Sequence, residues 1–173
     1  VSRIAAFAPL AALAVLVVIG TALLLRGGER DLFSDGRIGR PAPHYELERL
    51  GGGDPVVSDA YDHAYVINVF ASWCTPCRAE HEHLMALQAR GAAVVGIAYK
   101  DRPEATRAFL DELGDPFAAV GLDPQGRFAL ELGVTGVPET FVIDAEGNIA
   151  AVHRGPLTED VVSSIVLPAL GLN

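Results

Sequence analysis

Cysteine is nearly missing from this chain. Two occur in 173 residues, at Cys74 and Cys77. That is too few for a disulfide-stapled scaffold, so the fold must stand on a hydrophobic core, which a hydrophobic content of 50% supports. Basic residues are also scarce: 13 Lys and Arg stand against 22 Asp and Glu, a net charge of −9. There is no basic stripe of the kind that neutralises phosphates, which argues against a nucleic-acid partner. Acidity favours solubility but names no partner. Internal repeats and low-complexity tracts are absent as well.

Charge is absent from Ile4 to Leu25. As a helix this run would span about 33 Å, close to the ~30 Å hydrocarbon core of a bilayer. Residues 1–25 therefore read as an N-terminal membrane anchor. Pro9, Gly20 and Thr21 interrupt the run, and membrane helices tolerate such residues. The rival reading is a cleavable signal peptide, whose apolar stretch is usually about 7–15 residues and ends in small residues. Here the run is longer and ends in Leu23-Leu24-Leu25-Arg26. Residues 26–40, rich in Gly and charge, read as a linker. Residues 41–173 read as one domain.

Within that domain, Tyr45–Leu50 alternates like an edge strand. Ala64–Phe70 is almost continuously apolar and β-rich, as a central strand covered on both faces should be. Residues 74–89 read as a helix closed by Gly91, and Ala93–Tyr99 as a second buried strand. Pro103–Leu113 carries helix signals at both ends. A short helix is expected at Phe128–Leu132. A hairpin is expected from Glu139–Ile143 and Ile149–His153, and a closing helix over Thr158–Leu170 with Thr158 as N-cap. The pattern predicts an α/β fold with a mixed sheet and helices on both faces.

The two cysteines sit in Trp73-Cys74-Thr75-Pro76-Cys77, directly after the central strand and at the start of a helix. The first helical turn offers unpaired N–H groups and the positive end of the peptide dipoles. A thiolate at Cys74 would accept from those donors, so its pKa should fall below the free value of about 8.5. The thiolate is the nucleophile of disulfide exchange, and Cys77, one turn inside, can resolve the mixed disulfide. Pro76 suits the first turn, where its missing N–H costs little. Zinc would want four ligands, and no second cysteine pair exists; His81 on the Cys77 face does not complete a set. Haem attachment would need His directly after Cys77, where Arg78 stands. A purely structural bond over so small a loop would remove little unfolded-state entropy. Redox exchange is the reading that remains, with no cofactor beyond the Cys74–Cys77 pair itself.

Strand, Trp-Cys-x-x-Cys, helix and a distant proline together resemble the thioredoxin superfamily. Trp-Cys-Thr-Pro-Cys-Arg-Ala-Glu-His at 73–81, Gly-Val-Thr-Gly-Val-Pro-Glu-Thr-Phe at 133–141 and Val-Val-Gly-Ile-Ala-Tyr-Lys-Asp at 94–101 resemble the DsbE/CcmG family. These are membrane-tethered thiol reductants of cytochrome c maturation. The resemblance implies a thioredoxin-like fold and a protein-disulfide reductase. It implies electrons taken from a transmembrane thiol donor and passed to apocytochrome c or its maturation chaperone. The implied location is a bacterial inner membrane, crossed once, with the domain in the periplasm, an oxidising compartment suited to such chemistry.

The resemblance also places a cis-proline at Pro138, facing the cysteine pair, with Val137 and Glu139 beside it. Trp73, Thr75, Pro76, Val137, Pro138 and Glu139 are the expected partner-contacting residues. Glu80, three residues after Cys77 on one helix, takes an acidic role by resemblance; partly buried, it would have a raised pKa and could relay protons. Asn68 lies where thioredoxin itself has a buried carboxylate, and an amide cannot take a proton at neutral pH. Thr135 departs from the family pattern at a loop position where many relatives carry an aromatic residue. Copper-handling relatives of the fold typically carry Cys-x-x-x-Cys, a spacing this chain lacks.

Overall fold

The computed structural model describes Val15 and residues 36–172. Val15 apart, the expected anchor lies outside the described residues, as does most of the expected linker. Among those described, no helix is long and apolar enough to cross a membrane. A compact unit spans Arg37–Asn173, beginning ahead of the Pro41 boundary read from composition. Gly39 N–H donates to the Ile149 carbonyl, and Arg37 donates to the Glu131 carbonyl.

Among the described residues there are seven strands: β1 (Glu46–Leu47), β2 (Val56–Val57), β3 (Tyr65–Phe70), β4 (Val94–Tyr99), β5 (Ala119–Asp123), β6 (Glu139–Ile143) and β7 (Ile149–Arg154). The helices are α1 (Thr75–Ala89), α2 (Pro103–Leu113), α3 (Arg127–Leu132) and a last helix, α4, which runs as Glu159–Val161, a wider π-type segment Val162–Val166, and Leu167–Ala169. The main sheet has the order β5-β4-β3-β6-β7; β3, β4 and β5 are parallel, and β6 pairs antiparallel with β3 on one side and with β7 on the other. β1 and β2 form a separate two-stranded ribbon.

Every residue of β3 is buried, which accounts for its nearly unbroken apolar sequence. Alternation along the strand divides the core. Val66 and Phe70 pack with Leu84 and Leu87 of α1, Phe109 and Leu110 of α2, and Val162 and Val166 of α4. Ile67 and Val69 pack on the other face with Phe128, Ala129 and Leu132 of α3 and with Tyr45 and Val56 of the ribbon. Full burial of an aliphatic side chain such as Leu84 or Leu87 contributes about 1.5–3 kcal/mol.

Strand β5 was not among the expected elements. It is five residues long, lies between Pro116 and Pro124, and carries Gly121 at its centre. The glycine is required by packing: a Cβ there would come within 2.9 Å of the Leu47 side chain. The expected edge strand over Tyr45–Leu50 shortens to Glu46–Leu47, with a single further bridge from Arg49 to Gly121.

Candidate active site

β3 ends at Phe70, and the chain turns through Ala71-Ser72-Trp73 into α1. Cys74 is the N-cap, in extended backbone (φ −89°, ψ 107°), and its Sγ accepts from the Cys77 N–H at 3.1 Å. That donor is one of the unpaired groups a helix start offers to an anion. Cys74 and Cys77 are joined as a disulfide, with Cα atoms 5.3 Å apart. Both cysteines are largely covered, Cys74 at 4% exposure and Cys77 at 1%. Around them Trp73, Thr75 and Pro76 are exposed. Trp73 is 58% exposed, and its indole N–H donates to the Lys100 carbonyl at 3.3 Å.

The loop before the cysteines is held by a residue that had no role in the sequence reading. Asp101, buried at the end of β4, accepts from Ser72 N–H (2.7 Å), Ser72 Oγ (2.9 Å), Arg102 N–H (2.8 Å) and Thr106 Oγ1 (3.0 Å). Its sequence signal was the Lys-Asp that closes the 94–101 stretch. An anion with four donors is well satisfied, and it ties the turn leading to Cys74 to the start of α2.

Behind the disulfide, Glu80 is completely buried on the sheet side of α1. Its Oε1 accepts from Asn68 Nδ2 at 2.8 Å, and its Oε2 accepts from the Leu157 N–H at 2.8 Å. Burial pushes the carboxyl up to about 7, and these two donors pull the other way. Asn68 Nδ2 also donates to Thr140 Oγ1 at 3.2 Å; the two residues are opposite each other across β3 and β6. The next residue on α1, His81, is buried and donates from Nε2 to the Gly114 carbonyl at 2.9 Å. Burial holds its pKa below the ordinary value.

The Val137–Pro138 bond is cis. Pro138 immediately precedes β6, whose first residue, Glu139, pairs with Val69 near the end of β3. The proline is thus at the same end of the sheet as the cysteine turn. Val137 is half-buried and Pro138 buried. Glu139 shares the face of Val69, opposite the face that carries Asn68, Thr140 and Glu80. Its Oε1 accepts from Thr135 N–H, Thr135 Oγ1 and Gly136 N–H (2.8, 2.6 and 3.1 Å), and its Oε2 accepts from Arg154 Nη1 at 2.9 Å. The two acids named from sequence are therefore not brought together: Glu80 sits behind the sulfurs, and Glu139 braces the loop that carries Pro138.

The Thr135 hydroxyl supplies one of the four bonds of that brace. Thr135→Val should lower stability by about 1 kcal/mol, the usual net value of one hydrogen bond at a partly exposed site. A melting temperature unchanged in the oxidised protein would show that the Glu139 carboxylate does not need it.

The chain matches the Redoxin family model over residues 37–166. It is 42% identical over 134 residues to the thiol:disulfide interchange protein HelX of Rhodobacter capsulatus, covering 76% of each chain. It is 40% identical over 172 residues to a DsbE homologue of Paracoccus denitrificans, covering 96% of each. Among solved structures, a thioredoxin-family thiol:disulfide interchange protein from Chlorobium tepidum aligns with a TM-score of 0.64 at 32% identity, over 76% of this chain and 96% of that one.

Proposed function

Since this chain, thioredoxin-like in fold, belongs to the DsbE/HelX-type thiol:disulfide interchange proteins of the redoxin family, we propose that its Cys74–Cys77 pair reduces apocytochrome c, or the maturation chaperone that presents it, before haem attachment. The chain is a thiol:disulfide oxidoreductase. The observation that carries the finer reading is the disulfide at the start of α1, with an acceptor position at Cys74 Sγ and the buried Glu80 one turn beyond Cys77.

In the reduced protein, the Cys74 thiolate attacks one sulfur of the substrate disulfide. A mixed disulfide forms, and the other substrate sulfur leaves as a thiolate and takes up a proton. Cys77 then gives up its proton, with Glu80 as the base, and attacks Cys74 Sγ. The substrate leaves as a dithiol, and the Cys74–Cys77 disulfide described above is the product. Two electrons have moved to the substrate. A transmembrane thiol donor returns the pair to the dithiol by the same exchange in reverse.

Trp73, Thr75, Pro76, Val137 and Pro138 are the proposed contacts for the partner, which lies along the backbone ahead of β6 as an added extended segment. Glu139 serves the same surface indirectly, by shaping its loop. Residues 1–25 anchor the chain in a bacterial inner membrane and residues 26–40 tether the domain on the periplasmic side.

The test is capture. Cys77→Ala leaves Cys74 able to attack but removes the sulfur that resolves the intermediate. Expressed in cells, this variant should accumulate mixed disulfides with apocytochrome c or its chaperone, identified after non-reducing separation. Adducts made up only of unrelated thiol proteins would point instead to a general thiol reductant or oxidant of the same compartment.

A further inference from the structure

Among the described residues, one buried side-chain polar atom has no hydrogen-bond partner, and it belongs to Asn68: its Oδ1. Asn68 is wholly buried. Its amide nitrogen makes two bonds, to Glu80 Oε1 and Thr140 Oγ1, while its oxygen makes none. Buried polar atoms are almost always paired, and an exception asks for a reason.

The arrangement suits Glu80 only as an anion. An ionised carboxylate accepts at both oxygens, and here it accepts from Asn68 on one and from Leu157 N–H on the other. A neutral carboxyl has one hydrogen to give. The Leu157 N–H is a backbone donor and cannot accept, so the carbonyl oxygen stays on that side. The hydrogen then lies on Oε1, where it meets the NH2 of Asn68, donor against donor. An amide offers a remedy: half a turn about its last torsion exchanges nitrogen and oxygen with little movement of other atoms.

We propose that Asn68 is a positioning residue whose amide turns over as Glu80 gains or loses its proton. With Glu80 ionised, Asn68 Nδ2 donates to Glu80 and Thr140. With Glu80 neutral, Asn68 Oδ1 accepts from the Glu80 O–H and from the Thr140 O–H. Thr140 is suited to both states because a hydroxyl donates or accepts as it rotates. The turned state leaves the NH2 in the orphan position. Unpaired buried N–H groups are rarer than unpaired carbonyls, so the turned state is the less favourable one, and this opposes the upward push of burial on Glu80.

Other ionisable groups are engaged elsewhere. Cys77 is in the disulfide, His81 donates to Gly114, and Glu139, across the sheet, is bound by Thr135, Gly136 and Arg154. The groups that act on the Glu80 carboxyl are its own burial, the Leu157 N–H and the Asn68 amide, with no charged side chain of β3, β6 or α4 among them. The switch lets a buried acid release and recover a proton while the backbone of β3, β6 and α1 stays in place.

The inference rests on Glu80 titrating, as the proposed function requires, and one experiment separates the two. The full chain, oxidised and in detergent, is labelled at the Asn68 side-chain nitrogen and the Glu80 carboxyl carbon and followed by NMR from about pH 5 to about pH 9, a span that brackets a raised carboxyl. The Glu80 signal should titrate. Over the same midpoint, the through-space contact of the Asn68 NH2 protons with Thr140 should be strong on the alkaline side and fall several-fold on the acid side. In Glu80→Gln, the Leu157 N–H fixes the Gln oxygen, the Gln NH2 faces Asn68, and the Thr140 contact should be weak at every pH. A Glu80 that titrates while the contact persists overturns the switch alone. A strong contact in Glu80→Gln does the same. A Glu80 that does not titrate overturns the switch and the proton-handling role together.

Discussion

Cys74→Ala is expected to remove thiol:disulfide exchange completely, down to the rate of the uncatalysed thiol in the buffer. The loss should be total because the two cysteines are not equivalent. Cys74 occupies the N-cap, where its Sγ already accepts the Cys77 N–H, and exposed residues surround it at Trp73, Thr75 and Pro76. Cys77 is one turn inside the helix, at 1% exposure against 4% for Cys74. A thiol at a helix start ionises at about 3.5–7.5 rather than at about 8.5, so Cys74 is the sulfur present as a nucleophile near neutrality. The measurement is disulfide reduction of a model protein substrate, run beside Cys77→Ala. That second variant should show one attack and then stop as a mixed disulfide. Appreciable turnover by Cys74→Ala, or a Cys74 thiol that ionises only at the free value or above, would contradict this assignment.

Glu80→Gln should have the largest effect on stability, and its sign depends on pH. The ordinary carboxyl value is 4.5, and burial raises the folded-state value to about 7. Below the lower value both folded and unfolded chains hold the proton, and the group contributes no slope. Between the two, the folded state binds more proton than the unfolded state, so stability falls as pH rises. Above the upper value the full cost is present, on the order of 3 kcal/mol for a shift of this size. An amide at this position has no charge to desolvate and should abolish the slope. Oxidised wild-type and variant proteins, unfolded in denaturant, should therefore diverge from pH 4.5 to pH 7, the variant gaining by roughly 3 kcal/mol at the alkaline end. His81, whose pKa burial lowers, works in the opposite direction, its contribution being lost as pH falls through the ordinary histidine value. It is present in both proteins, so the difference between them isolates Glu80. Parallel stability curves would mean that this carboxyl carries no raised proton affinity.

Much of the frame was legible because punctuation and periodicity agreed. Pro103 and Gly114 bracket α2, an apolar β-rich run makes β3, and Asp144 to Asn148 turn the hairpin between β6 and β7. What stayed hidden was set by packing rather than by pattern. β5 is too short, and its central Gly121 reads as a breaker until Leu47 is seen lying against it. β1 and β2 are two residues each and hold only because the ribbon closes over the α3 face of the sheet. The Cys pair, Glu80 and Pro138 could be named from their spacing and from family likeness. Their companions could not, since the Leu157 N–H on Glu80 comes from 77 residues away and Ser72 on Asp101 from 29. Glu139 was visible as a residue but not as a brace, because its role depends on which face of β6 it occupies.

That division of β6, with Thr140 turned toward one layer and Glu139 toward the other, makes two traits heritable apart. Residues that shape the Pro138 loop can change on one face of the strand while the acid–amide pair on the far side goes on seeing the same surroundings. Variation in whom such a protein meets therefore need not disturb how it handles hydrogen ions.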